Sequence, residues 1–345
     1  MERGMVMKGS KRWLIISILG TCILLLASCG EVQRSSGKGL DEGLIVVNIA
    51  HGNQPSEPIG QLAEKWKELA EEESNGRLKL NIYPSSQLGS EKDVVEQAIM
   101  GNNVIIFTGY DFLMDYVPDA GILTAPYLTD DFDQLLELTT TDWFGDLEGQ
   151  LNAEGIEIVN TTTIYGERHL MTVDRVESPE DLEGRKIRVP NNSMYIKTFE
   201  AFGASPTPMP LSDTYTGMQQ GLIDGAENPL PVLAGSKTNE VAKHLTLTEH
   251  TKIMSPWITG TEFMDTLPED IVEIIKRTGI EAAEYGREVM MEENEKVLEE
   301  FVAQGIEIHE VDLEPFKERA ESVYTSFPEW TDGLYKTVQS LVEEQ

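Results

Sequence analysis

"LIVVNIAHGN", residues 44–53, is a continuous apolar strand that breaks into a Gly/Pro loop. The segments after it decide the fold class. Pro58 to Glu73 has helical spacing, with Ile59, Leu62, Trp66 and Leu69 on one side and Ser74-Asn75-Gly76 as a stop. "RLKLNIYP" (77–84) alternates as a strand, a second helix is expected near Glu91–Met100, and "NNVIIFTG" (102–109) reads as a third strand. A β-α-β-α-β order of this kind predicts a mostly parallel sheet covered by helices.

A second set of elements begins near "GIEIVNTTTIYGERHLMTV" (155–173). "GRKIRVP" comes next, then a helix from Ser193 to Phe202, the short "SPTPMP", a helix at Ser212–Gln220 and a strand-like stretch around "IMSPWITGTEF". Pro268 opens a helical pattern that runs to about Gln304. A helix of that length is expected to brace two domains.

The N-terminus is not read as fold. Arg3, Lys8, Lys11 and Arg12 form a basic start, and Trp13–Ala27 is an apolar run too short for a membrane span but right for a signal peptide. The run ends in Leu26-Ala27-Ser28-Cys29, which resembles a bacterial lipobox, so Cys29 is expected to carry the lipid that tethers the mature chain to the cell membrane. Cys22 would leave with the signal peptide, and no internal disulfide would then be available. Residues 30–43 are polar and Gly/Ser-rich, as in a flexible tether.

The formal net charge is -33, from 60 Asp+Glu against 27 Lys+Arg. Loss of residues 1–28, with four cations and one anion, takes it to about -36. Such a chain repels phosphates, which argues against a nucleic-acid partner and against a basic membrane-surface patch. Against this background "GRKIRVPN" (184–191) concentrates three cations in four positions. Ile187 and Val189 share one face of the extended segment, and Lys186 and Arg188 share the other. Arg188 lies deeper, just before Pro190 ends the strand, and the carboxyl ends of strands in α/β sheets are where ligands bind. On the octapeptide alone, a structural ion pair or a solvated edge stays the first reading.

No metal or cofactor motif is found. The five histidines show no HExxH or HxxxH spacing, and there is no CxxC, GxGxxG, GxSxG or Walker A loop. Paired carboxylates are abundant by chance among 60 acids, so a secreted carbohydrate-active enzyme working through an acid pair is kept as the alternative to capture without catalysis.

Three stretches carry the reading further. "YGERHLMT" (165–172), "LEGRKIRVPN" (182–191) and "GASPTPMPLSDTYTGMQQGLIDGAENP" (203–229) resemble the DctP-type solute-binding proteins of tripartite ATP-independent periplasmic (TRAP) transporters. "LKLNIYPSSQLGSEKDVVEQ" (78–97) and the C-terminal "VAQGIEIHEVDLEPFKE" resemble the same family. The resemblance implies a two-domain α/β periplasmic-binding-protein-like fold, with domain I at 44–165 plus about 254–293 and domain II at 166–253 plus about 294–345. It implies a small organic acid bound in the interdomain cleft, delivery to TRAP permease membrane subunits, and no cofactor.

Carried over by motif, the arginine of "KIRVP" falls on Arg188, that of Gly-x-Arg on Arg168, and the asparagine of "DGxENP" on Asn228, with Asn191 a further polar pocket position. His51 and Tyr110 are added as strand-end positions that could contact ligand. Pairing with an acid stays open for Arg168, and a turn cap for Asn228. Where sialic-acid binders of the family carry a Glu-x-x-Arg element, this chain reads "TGYDFL" (108–113), and Leu211 stands where an aromatic is expected. Uronates or related sugar acids are therefore the first expectation, with C4-dicarboxylates or 2-oxo acids next.

Overall fold

The computed structural model describes residues 43–343; the expected signal peptide, Cys29 and most of the tether lie outside the described residues. No helix among the described residues is long and apolar enough to cross a membrane. Residues from Gly43 onward make one compact unit.

Strand β1 (Ile45–Ala50) pairs in parallel with β2 (Leu78–Tyr83) and β3 (Ile105–Phe107). The helix between β1 and β2 spans Pro58–Glu73 and begins where the spacing predicts. Proline suits its first turn, because the missing N–H would be unpaired there anyway. It stops where Asn75 and Gly76 adopt φ of 52° and 75°, the left-handed geometry that ends helices. Ile59, Leu62, Ala63, Trp66 and Ala70 form its buried stripe. The next helix, Glu91–Ile99, is fixed at its start by a reciprocal capping box between Ser90 and Asp93.

The middle of the sheet departs from the parallel expectation. The "GIEIVNTTTIYGERHLMTV" stretch is one 17-residue strand, β4 (Ile156–Thr172). It runs antiparallel to an equally long β8 (His244–Gly260). Beyond β4 come β7 (Gly225–Asn228), β5 (Lys186–Val189) and β6 (Ser205–Pro208), with β5 parallel to both neighbours. The order is β2-β1-β3-β8-β4-β7-β5-β6, and β9 (Glu307–His309) pairs with the start of β8. Parallel βα units thus lie at both ends of one mixed sheet, joined by two long antiparallel strands. Register shifts interrupt the β4–β8 ladder, one of them between Ile164 and Gly166. Gly166 has φ of 122°, and a Cβ there would stand 2.9 Å from Pro229. Only glycine meets both conditions, which explains why it precedes Arg168 by two positions.

The expected long helix is a 35-residue element, Glu269–Ala303. Its first half lies against the Pro58–Glu73 helix: Trp66 Nε1 donates to the Ile275 carbonyl at 3.0 Å, and Gly279 and Gly286 admit Trp66 and Leu62. Its last turns bury Val297 and Phe301 among Met171, Leu230, Leu233 and Leu245. One helix therefore packs on elements from both ends of the sheet.

Candidate functional site

The carboxyl ends of β1, β3, β5, β6 and β7 converge on one cavity, as open α/β sheets require. Gly52 and Asn53 follow β1, Gly109 and Asp111 follow β3, Pro190 and Asn191 follow β5, Met209 and Leu211 follow β6, and Asn228 ends β7. Tyr165 and Arg168 of β4 and Ser255 of β8 complete the walls. About 120 Å³ is open to water-molecule centres, room for on the order of ten water-sized groups.

Arg188 sits in a strand whose Ile187 and Val189 are fully buried, and is itself 3% exposed. Its Nε and Nη2 donate to the Met209 carbonyl at 3.0 and 2.8 Å. No carboxylate among the described residues pairs with it. Burial lowers its pKa to about 10, with Glu227 opposing and Arg168 adding to the shift. The group stays cationic at neutral pH in an apolar strand, beside the cavity.

Arg168 is equally buried but differently held. Its Nε and Nη2 reach both carboxylate oxygens of Glu227, the Nη2–Oε1 distance being 2.6 Å, and Nη2 also donates to the Glu227 carbonyl at 3.1 Å. His250 Nε2 lies 3.2 Å from Glu227 Oε2. The guanidinium carbon stands 4.5 Å over the Tyr195 ring. Burial pulls the Arg168 pKa down, but the Glu227 carboxylate outweighs it and holds it above its ordinary value. Burial likewise pushes Glu227 up, and Arg168 and His250 more than reverse that. No hydrogen bond holds Nη1 of Arg168 among the described residues, and Arg168 lines the cavity.

Asn191 and Asn228 also line the cavity. The other two expected positions do not. His51 is buried at 1% exposure, lines a smaller adjoining pocket and stands edge-on to Trp257 at 6.4 Å. Burial lowers its pKa to about 4, so the ring is neutral. Tyr110 turns into the core, edge-on to Phe144 with its hydroxyl on Thr161 Oγ1, and burial raises its pKa. Both follow strands whose ends form the cavity, yet their side chains point into packing.

Two acids in the wall lie in stretches whose sequence gives them no role. Glu91, the first residue of its helix, accepts from Thr108 Oγ1 at 2.8 Å and from the Gly109 N–H at 3.0 Å. Burial raises its pKa. Asp111 accepts from Asn192 Nδ2. Burial, reinforced by Glu91, pushes its pKa up to about 8. Asp111 lies inside "TGYDFL", a stretch notable in the sequence for the cation it lacks and for Tyr110 rather than for its acid. Glu227 is the glutamate of "DGAENP", where the motif draws attention to the neighbouring asparagine alone.

The family model of the bacterial extracellular solute-binding proteins, family 7, matches residues 49–329. Among solved structures, a TRAP periplasmic solute-binding protein from Ochrobacterium anthropi with bound L-fuconate is 43% identical, with a TM-score of 0.85, over 87% of this chain and all of that one. One from Actinobacillus succinogenes with bound L-galactonate is 42% identical at the same TM-score and coverage. The sialic acid-binding periplasmic protein SiaP of Vibrio cholerae is 29% identical over 77% of this chain and 83% of its own length. The chain belongs to the DctP family of bacterial extracellular solute-binding proteins, those of the TRAP transporters.

Proposed function

We propose that this protein captures a sugar acid of about six carbons outside the cytoplasm, without catalysis, and hands it to TRAP permease subunits. Arg188 carries the reading: a buried guanidinium without a carboxylate partner beside a cavity is a charge that an incoming carboxylate completes. Nη1 of Arg168, Asn191 and Asn228 supply further polar contacts along the same wall. Asp111, with its pKa near 8, is mostly protonated at pH 7 and offers a donor for a ligand hydroxyl without repelling the carboxylate. A polyhydroxylated acid uses this donor as well as the guanidinium; a C4-dicarboxylate would bring a second charge to a cavity with one guanidinium, among the described residues, that lacks a carboxylate partner. The L-fuconate and L-galactonate bound by the two relatives at 42–43% identity support the same choice.

Glu91 and Asp111 line the same cavity as the arginines, so two acids are present for the enzyme alternative to draw on. One Glu91 oxygen, however, holds the Thr108–Gly109 turn, and Asp111 holds Asn192, so both serve to shape the wall. Ligand release would follow from opening of two lobes. A hinge at the boundaries expected at 165/166 and 253/254 would cross the sheet beside the register shift at Gly166, which pairs with Ile253, and that irregularity supports the reading.

A thermal-shift and calorimetric screen of L-galactonate, L-fuconate, D-galacturonate, sialic acid and succinate tests the ligand class. One or more of the three sugar acids should bind one-to-one and be recovered unchanged. Exclusive binding of succinate or sialic acid would overturn the class, and a converted product would overturn the non-catalytic role. Anchoring through Cys29 is tested separately: Cys29→Ala should lose lipid labelling and membrane fractionation in a bacterial host, and unchanged labelling refutes the anchor.

A further inference from the structure

At the far side of β8 from the cavity lining, strand pairing brings together three side chains that the transport reading leaves unused. β9 runs parallel to β8 with His244 opposite Glu307 and Thr246 opposite His309. His244 Nδ1 lies 3.1 Å from His309 Nε2 and 3.6 Å from Glu307 Oε2, and one ligand atom from each residue falls within 4.8 Å of the others. The two rings are stacked, with centroids 5.3 Å apart. Their 65-residue separation hides the cluster from any motif search.

We propose that His244, Glu307 and His309 form a site for a divalent late first-row ion such as Zn²⁺, which clips β9 to β8. Tetrahedral zinc with Zn–N bonds of about 2.0–2.1 Å places ligand nitrogens about 3.3–3.4 Å apart, so the two ring nitrogens need a shift of only about 0.2–0.3 Å; the Glu307 carboxylate has further to swing in, which its exposed side chain permits. Two imidazoles and one carboxylate are an ordinary zinc donor set, and the exposed Glu307 edge leaves a fourth position for water. The clip would secure the chain leaving the long helix, because β9 begins four residues beyond Ala303.

The test uses residues 29–345 with Cys29→Ser, which removes the one thiol and leaves the compact unit whole. After chelator treatment, calorimetry with ZnCl₂ should show one equivalent bound, and the unfolding midpoint should rise until that equivalent is reached. His244→Ala should weaken binding at least tenfold, and the exposed Glu307→Gln should weaken it without loss of fold. Absence of a one-equivalent site, or unchanged affinity in either folded variant, overturns the proposal. Weak zinc uptake by the acidic surface would persist in both variants and is distinguished on that ground.

Discussion

Two guanidinium groups stand in the wall of one cavity, each 3% exposed, and the protein treats them in opposite ways. Arg168 is compensated from within, by a carboxylate that is itself held by His250. Among the described residues, Arg188 receives only the Met209 carbonyl. Burying a cation is unfavourable in both places. The chain offsets that penalty in the first corner with Glu227 and leaves it standing in the second, where a ligand can remove it. Under the proposed function, the same residue type serves the fold at β4 and capture at β5.

Breaking the first corner should produce the largest effect. Arg168→Ala leaves Glu227, which is fully buried, with its carboxylate facing only a histidine. Removal of one partner of a buried pair costs about 3–5 kcal/mol of stability. Urea unfolding of the variant should show that loss as a lower midpoint. A wild-type midpoint would mean that Arg168 contributes nothing to the fold and that the contrast between the two corners is false.

Breaking the second corner should leave stability alone and remove binding. Arg188→Ala should weaken binding of the cognate acid by about 2–5 kcal/mol, a rise in Kd of roughly 30- to several-thousand-fold. Its unfolding midpoint should stay level or rise, since a buried cation without a carboxylate is gone. Arg188→Lys should recover part of the loss, because the charge returns without the two-pronged donor geometry. Calorimetry on both variants, with circular dichroism for fold, decides the matter. Undiminished affinity in folded Arg188→Ala would place carboxylate recognition elsewhere.

The legibility of this contrast in the sequence is set by the reach of local pattern. The Pro58–Glu73 helix, the 35-residue helix and the first three strands carry their periodicity and stop signals within themselves. The depth of Arg188 is readable from Ile187 and Val189 on either side. The single strand β4 is not, because its Asn160-Thr161-Thr162-Thr163 run imitates a turn and its partner β8 lies about ninety residues away. The division of labour between the arginines is also hidden, since Glu227 reaches Arg168 only through the β4–β7 pairing, where Leu170 faces Glu227. His51 and Tyr110 fail to reach the cavity for a related reason: strand-end position is legible, but side-chain direction is set by packing against Trp257 and Phe144.

Asp111 sharpens the comparison, because its protonation reports how much positive charge the cavity has to spare. Its pKa is about 8 in the fold against 3.8 for an ordinary aspartate, raised first by burial and then by Glu91, while Arg168 pulls it down too weakly to matter. Between those two pH values the folded state holds a proton that the unfolded chain has released, so stability falls as pH rises. His51 acts with the opposite sign: its pKa is about 4 in the fold and 6.5 ordinarily, so its contribution is lost as pH drops from 6.5 towards 4. His51 opposes Asp111 below pH 6.5. Between pH 6.5 and 8 the contribution of Glu57, whose pKa burial raises to about 7, falls together with that of Asp111, so the comparison with an Asp111 variant is what isolates Asp111. Across that window the wild type should lose roughly 1–2 kcal/mol relative to Asp111→Asn, whose side chain cannot ionise. Urea midpoints of both proteins at pH 6.5, 7.25 and 8 give the difference. Equal slopes would mean that Asp111 is already ionised beside the arginines. Glu227 would then leave Arg168 with charge to spare, and the two corners would differ far less than their hydrogen bonds imply.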